Sequence, residues 1–342
     1  MSQSLDIAVI GATGTVGETL VQLLDEREFP VGNLHLLASG ESAGASVPFK
    51  GRNLRVRDVA EFDFSQVKLA FFAAGESVTR SFAARASAAG CSLIDLSGAL
   101  DPMQAPSLVP EANPELLQRL DAPYQLTSPS ASAVALACVL APLRDLVRPR
   151  RVSVLASLAV SSRGREGVNE LARQTAELLN ARPLEPRFFD RQIAFNILAQ
   201  AGVPDAEGHI ALERRLAGEL RQLLAEPDLR VAATCALAPV FFGDSLALSL
   251  VSEREVDIDA VRQRLAQAPG VEFVEEEGDY PTAVGDAVGQ DAVYVGRVRG
   301  GLDDPCELNL WIASDNARKG AALNAVQSAE LLIKHYLSKI LT

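Results

Sequence analysis

The sequence predicts an α/β protein whose N-terminal part is built on a parallel sheet covered on both faces. Two observations predict it. Short, continuously apolar runs alternate with stretches of helical spacing, the pattern of strands buried on both sides. The first of these runs also ends in a glycine-rich turn that opens directly into a helix.

Taken in order, Ile7-Ala8-Val9-Ile10 reads as the first strand and Val16 to Asp25 as the first helix. Leu34 to Ala38, Leu69 to Ala73 and Ser92 to Leu96 read as further strands, with a helix from Ser77 to Ala89. A second region begins near Ala131. Ser132 to Leu143 is apolar on nearly every face, as a buried helix would be. Arg151 to Val160, Ala232 to Val240 and Leu246 to Val251 read as strands, and Gly167 to Leu179 and Ala211 to Leu224 as helices. Glu275-Glu276-Glu277 beside Gly278 reads as a solvated loop, and Arg318 to Leu341 as one long helix with an apolar stripe through Leu323, Val326, Ala329 and Ile333.

The chain has 342 residues, 48% hydrophobic and 22% charged, a composition that suits a large core and excludes a disordered chain. No apolar run reaches the roughly 18 residues of a membrane span, and no signal-type segment precedes Ile7. A soluble, cytoplasmic protein is expected. A net charge of -12 argues against nucleic acid and anionic membranes as partners. Cys91, Cys138, Cys235 and Cys306 are scattered, as are His35, His209 and His335, so neither disulfides nor a metal site are expected.

Gly11-Ala12-Thr13-Gly14-Thr15-Val16-Gly17 supplies the chemistry-bearing turn. Glycines there permit a tight bend and close approach of a pyrophosphate, whose charge meets the free amides of the helix start. The spacing is G-x-x-G-x-x-G, and a close-packed turn without ligand is the competing reading.

From this turn onward the chain resembles the aspartate-β-semialdehyde dehydrogenase family. The resemblance is carried by Leu36-Leu37-Ala38-Ser39, Ser42-Ala43-Gly44, Val109-Pro110-Glu111-Ala112-Asn113-Pro114, Ile193-Ala194-Phe195-Asn196 and Ala233-Thr234-Cys235. It is closest over Val293-Tyr294-Val295-Gly296-Arg297 and the run from Ser314 to Gln327. It implies a Rossmann-type dinucleotide-binding domain over 1–130 with a returning helix over 316–342, and an α+β catalytic and dimerisation domain over 131–315. Cofactor contacts are then expected from Gly11, Thr13, Gly14, Thr15, Val16, Gly17, Ser39, Glu41, Gly75 and Asn316, and a homodimer is implied.

The family's reaction needs a thiolate at a helix start, a histidine to move the proton, and arginines to hold the substrate's anionic groups. The matching positions here depart from that pattern. Ala131 stands at the cysteine, Asp244 at the histidine and Leu158 at the active-site glutamine. Leu237 stands at the carboxylate-binding arginine and Asp101 at the phosphate-binding one. Glu213 matches a family glutamate, and Arg215 keeps the charge of a family lysine. These departures resemble the Usg type of semialdehyde-dehydrogenase-like proteins.

Substitutes for the lost groups are poor. Cys138 lies about 10 Å further along a helix at 1.5 Å per residue and reads as a core thiol. Ser130 and Ser132 read as helix caps. Asp244, with an ordinary carboxylate pKa, reads as a solvated or capping group. Glu41, where the family has an arginine for the ribose 2′-phosphate, could accept from a free 2′-hydroxyl, so NAD is expected over NADP; a plain surface acid is the alternative. Three functions follow. The first is a non-catalytic member binding a small molecule or a protein. The second is an enzyme of changed chemistry using Glu213, Asp244 or Ser132. The third is residual semialdehyde dehydrogenase activity in amino-acid biosynthesis.

Overall fold

The structure, a computed structural model, describes residues 4–276 and 278–335. Along the chain run β1 (Leu5–Ile10), α1 (Thr15–Glu26), β2 (Val31–Ala38), β3 (Ser46–Phe49), β4 (Arg52–Arg55), β5 (Arg57–Asp58), β6 (Leu69–Phe72), α2 (Glu76–Ala88), β7 (Ser92–Asp95) and β8 (Gln125–Thr127). Then come α3 (Ala131–Leu140), α4 (Arg144–Val147), β9 (Pro149–Leu158), α5 (Gly164–Leu179), α6 (Ala211–Leu223), β10 (Arg230–Leu237) and β11 (Asp244–Ser252). The last are α7 (Ile258–Ala266), β12 (Val271–Phe273), β13 (Val293–Gly300), β14 (Glu307–Ser314) and α8 (Asn324–His335). They form two compact units, Met1–Pro129 with Ala321–Thr342, and Ser130–Gly320.

The first unit is a six-stranded parallel sheet in the order β5-β2-β1-β6-β7-β8. This is the doubly wound order that places ligands where the winding reverses, here between β1 and β6. Side chains alternate across each strand. Leu5, Ile7 and Val9 of β1 join Leu69 and Phe71 of β6 in a core with α1 and α8, through Leu20, Leu24, Val326 and Ala329. Ala8 and Ile10 join Ala70, Phe72 and Leu93 in a second core with Ala83 and Ala86 of α2. Both faces are therefore covered, which is why β1 and β6 carry continuous apolar runs, Ile7 to Ile10 and Leu69 to Phe72.

The second unit is a mixed six-stranded sheet, β10-β9-β11-β14-β13-β12. β10 runs parallel to β9 and β12 to β13, and the central pairs are antiparallel. β11 alternates strictly between buried and half-buried residues, as expected of a sheet covered by helices on one face only. Leu155 of β9 stands 48% exposed on the other face.

The long helix expected over Arg318 to Leu341 begins differently. Arg318–Leu323 is a π-helical turn, with the Gly320 amide bonded to the Asp315 carbonyl at 2.9 Å, and regular α-helix starts only at Asn324. Residues 336–341 of that expectation lie outside the described residues, as does Glu277 of the acidic cluster; Glu275 and Glu276 follow β12 in a loop. Among the described residues no helix is long and apolar enough to cross a membrane.

Candidate functional site

In the first unit the glycine turn sits at the carboxyl ends of β1 and β6. Gly11 has φ +83°, and a Cβ there would lie 2.6 Å from the Ala73 carbonyl oxygen. A Cβ on Gly17 would lie 2.1 Å from the Gly11 carbonyl oxygen, so this glycine lets α1 press against the turn. Gly14 is different: the nearest atom to its built Cβ is 3.5 Å away, and the residue is exposed at the start of α1. Open space beside free helix amides is what an approaching pyrophosphate requires. Thr13, Thr15 and Val16 flank it, and Val16 packs on the core beneath. Gly75 precedes α2 with nothing within 4 Å of its built Cβ. Ser39 is exposed before a short 3-10 turn, Gly40–Ser42; the side chain of Glu41 in that turn lies outside the described residues. Asp101 is exposed, and its carboxylate accepts from the Met103 amide at 2.9 Å.

In the second unit, Leu158, Leu237 and Asp244 meet at one end of the sheet. Leu237 pairs directly with Leu158, and Ser245 with Ser157. Both leucines are buried. Asn316 lies in this unit as well. Its Oδ1 accepts from the Gly243 amide at 2.9 Å, and its Nδ2 donates to Ser161 Oγ at 3.0 Å.

Two expectations fail here. Asp244 is not solvated and does not keep an ordinary carboxylate pKa. It is 4% exposed and accepts from the Ala159 amide at 2.9 Å. Burial pushes its pKa up to about 7, opposed by that hydrogen bond and assisted by the nearby Asp315 carboxylate. Ser130 and Ser132 do not cap α3 through their side chains. Ser130 precedes the helix, but its hydroxyl donates to Glu219 at 2.5 Å, and Ser132 is buried in the first turn.

Glu219 is the residue missed by the sequence reading. It is buried, takes the Ser130 amide at 3.1 Å as well as its hydroxyl, and pairs with Arg215 Nε at 2.7 Å. The i,i+4 spacing from Arg215 was the available signal. Glu213 is also engaged. One oxygen accepts from the Cys235 amide at 2.9 Å and the other from the Ile210 amide at 3.1 Å, capping α6.

Ala131 opens α3 half-exposed, and a Cβ on Gly320 would come within 2.5 Å of its methyl carbon. The buried thiols offer no replacement nucleophile. Cys138 is 1% exposed in the middle of α3, and burial pushes Cys91 and Cys235 up to about 12. No group of three potential metal ligands occurs among the described residues.

Residues 6–120 match the semialdehyde dehydrogenase NAD binding domain, and residues 140–319 the semialdehyde dehydrogenase dimerisation domain. The chain belongs to the semialdehyde dehydrogenase family. A relative from Azotobacter vinelandii, named USG-1 protein homolog, is 63% identical, covering 98% of this chain and 99% of its own. A solved structure of a probable aspartate-semialdehyde dehydrogenase from Pseudomonas aeruginosa is 61% identical with a TM-score of 0.95, covering 98% of this chain and 100% of that one. Aspartate semialdehyde dehydrogenase II from Vibrio cholerae superposes with the same TM-score at 40% identity, over 98% of this chain and 100% of its own. The Rossmann-like first unit and the mixed-sheet second unit are the family's two domains, and the glycine turn falls inside the match to the NAD binding domain.

Proposed function

We propose that this chain is a non-catalytic member of the semialdehyde dehydrogenase family that keeps the dinucleotide-binding scaffold and works by binding a ligand or a partner. One observation carries the reading. The residue opening α3, where the family resemblance calls for a thiolate, is Ala131, which has no nucleophile. The serine beside it is held by Glu219, and the thiols at Cys91 and Cys235 are kept protonated by burial.

The other departures point the same way. Leu158 and Leu237 put two apolar side chains where polar substrate contacts are expected, and Asp101 replaces a cation by an anion. The bound dinucleotide is NAD in this reading, with Glu41 accepting from a free ribose 2′-hydroxyl. The match to the dimerisation domain supports a homodimer.

The test is turnover. Aspartate semialdehyde with phosphate and NAD or NADP is expected to give no dinucleotide reduction, even at high protein concentration. Ala131→Cys alone is expected not to restore it, because Asp101, Leu237 and Asp244 remain. Robust activity from that single change would overturn the reading.

A second reading is favoured by Asp244. A buried carboxyl titrating near neutrality can exchange a proton at working pH, which suits an enzyme of altered chemistry. A screen of small carbonyl and acyl compounds in which Asp244→Asn abolishes turnover would establish it.

A further inference from the structure

A cavity of about 740 Å³ lies beside the end of β10 in the second unit. Its walls mix apolar side chains, among them Phe189, Ile197 and Leu237, with the polar Asp190, Asn196 and Gln200. Some of the apolar lining faces solvent uncovered: Ile197 is 63% and Val203 88% exposed. Two cations reach the cavity, and they differ in kind. Arg191 is neutralised by Asp190 at 2.9 Å. Arg163 forms no ion pair among the described residues; its guanidinium donates only to the Ala201 carbonyl, at a long 3.3 Å. In a chain of net charge -12, Arg163 is an exposed cation with no ion-pair partner among the described residues.

The backbone that carries Arg163 is fixed on several sides. It ends the 3-10 turn Val160–Arg163, which follows β9. The Val160 amide bonds the Val240 carbonyl at 2.9 Å and the Ser161 amide the Phe241 carbonyl at 3.1 Å. Asp244 holds the Ala159 amide, and Asn316 holds the Ser161 hydroxyl. Gly167 of α5 completes the support: a Cβ there would lie 2.5 Å from the Val160 carbonyl oxygen. The base of the arginine is thus pre-positioned, which lowers the entropic cost of binding.

A planar, weakly hydrated guanidinium beside apolar side chains selects a carboxylate joined to hydrocarbon. The volume falls in the usual range for small-molecule sites, about 300–1,000 Å³. With a single uncompensated cation and Asp190 nearby, a phosphate dianion is poorly matched. Leu237 likewise leaves a second carboxylate without a partner. We propose that this cavity binds a monocarboxylate bearing a medium-length hydrocarbon chain or a single ring, with Arg163 holding the carboxylate and Leu237 and Phe189 meeting the apolar part. The inference rests on the non-catalytic reading in one respect: the ligand is held and not turned over.

Calorimetry on the full chain tests it, with hexanoate and 3-phenylpropionate as probes and their primary amides as neutral controls. Saturable binding of the acids is expected, with the amides weaker by at least about tenfold, the size of a lost charge-assisted contact. Arg163→Gln should weaken the acids by a similar factor and bring them level with the amides, with Arg163→Lys intermediate. Val203→Asp, an exposed change that adds a negative charge at the rim, should weaken the acids more than the amides. The site is overturned if the folded wild-type chain binds neither acid, if amides bind as well as acids, or if Arg163→Gln binds acids as the wild type does. Turnover of a semialdehyde by the same preparation would overturn the non-catalytic reading and leave the carboxylate site standing.

Discussion

Asp244 carries a pH dependence whose sign can be worked out. Its pKa stands near 7 in the folded chain against 3.8 as a free group, so between these values the native state holds a proton that the unfolded chain releases. Unfolding free energy therefore falls as pH rises through this window, and the contribution present below about pH 4 is gone above about pH 7. At about 1.4 kcal/mol per pH unit, the loss is of the order of 4 kcal/mol. Asp244→Asn, whose amide oxygen can still accept from Ala159, is expected to flatten the curve and raise the melting temperature at pH 8. Denaturant titrations from pH 4 to 8 on both proteins check this; parallel curves would refute it. The glycine turn gives a second contrast at the same scale. Gly17→Ala should destabilise by about 2 kcal/mol or more, because its methyl meets the Gly11 carbonyl. Gly14→Ala, which meets open space, should leave thermal stability nearly unchanged and lower dinucleotide affinity, read by calorimetry with NAD.

At the scale of elements, what could be read from sequence follows from what each element is buried against. β1, β6 and β7 are covered on both faces; β1 and β6 show this as continuous apolar runs, β7 sets Leu93 and Ile94 between buried Ser92 and Asp95, and all three lie within a residue or two of the stretches legible in the sequence. α3 is apolar on every side because it is buried on every side. β12, β13 and β14 were not read as strands. β12 has only three residues, and polar Glu307 and Asn309 interrupt the apolar signal of the first half of β14. The β3–β4 hairpin is short and mostly exposed. The π-turn before α8 depends on the Asp315–Gly320 bond, which no apolar periodicity announces. The meeting of Leu158, Leu237 and Asp244 was legible only through the family resemblance, since 86 residues of separation hide the pairing of β9 with β11 from local pattern. By calorimetry, NAD is expected to bind the β1–α1 turn more tightly than NADP, and the reverse order would remove the role given to Glu41.

For the whole molecule, the face of the second sheet that carries Leu155 is the natural place for association. It offers Thr234, Ala247, Asn309 and Trp311 around Leu155, all inside the stretch matching the dimerisation domain. A stable homodimer buries more than about 1,200 Å² in total, which requires apolar contact of this kind. Sedimentation is expected to show a dimer, and Leu155→Glu to shift it toward monomer without loss of helical signal; an unchanged dimer would place the interface elsewhere.

The hydrogen bonds along the outer side of β10 add a constraint of another sort. The Cys235 amide is spent on Glu213, and Leu237 exchanges both of its backbone bonds with Leu198. A strand whose border groups are already taken offers little template for a foreign strand. Lateral growth of the sheet into fibrils is blocked along that stretch of the rim, so association by stacking face on face can proceed without competing with runaway polymerisation there.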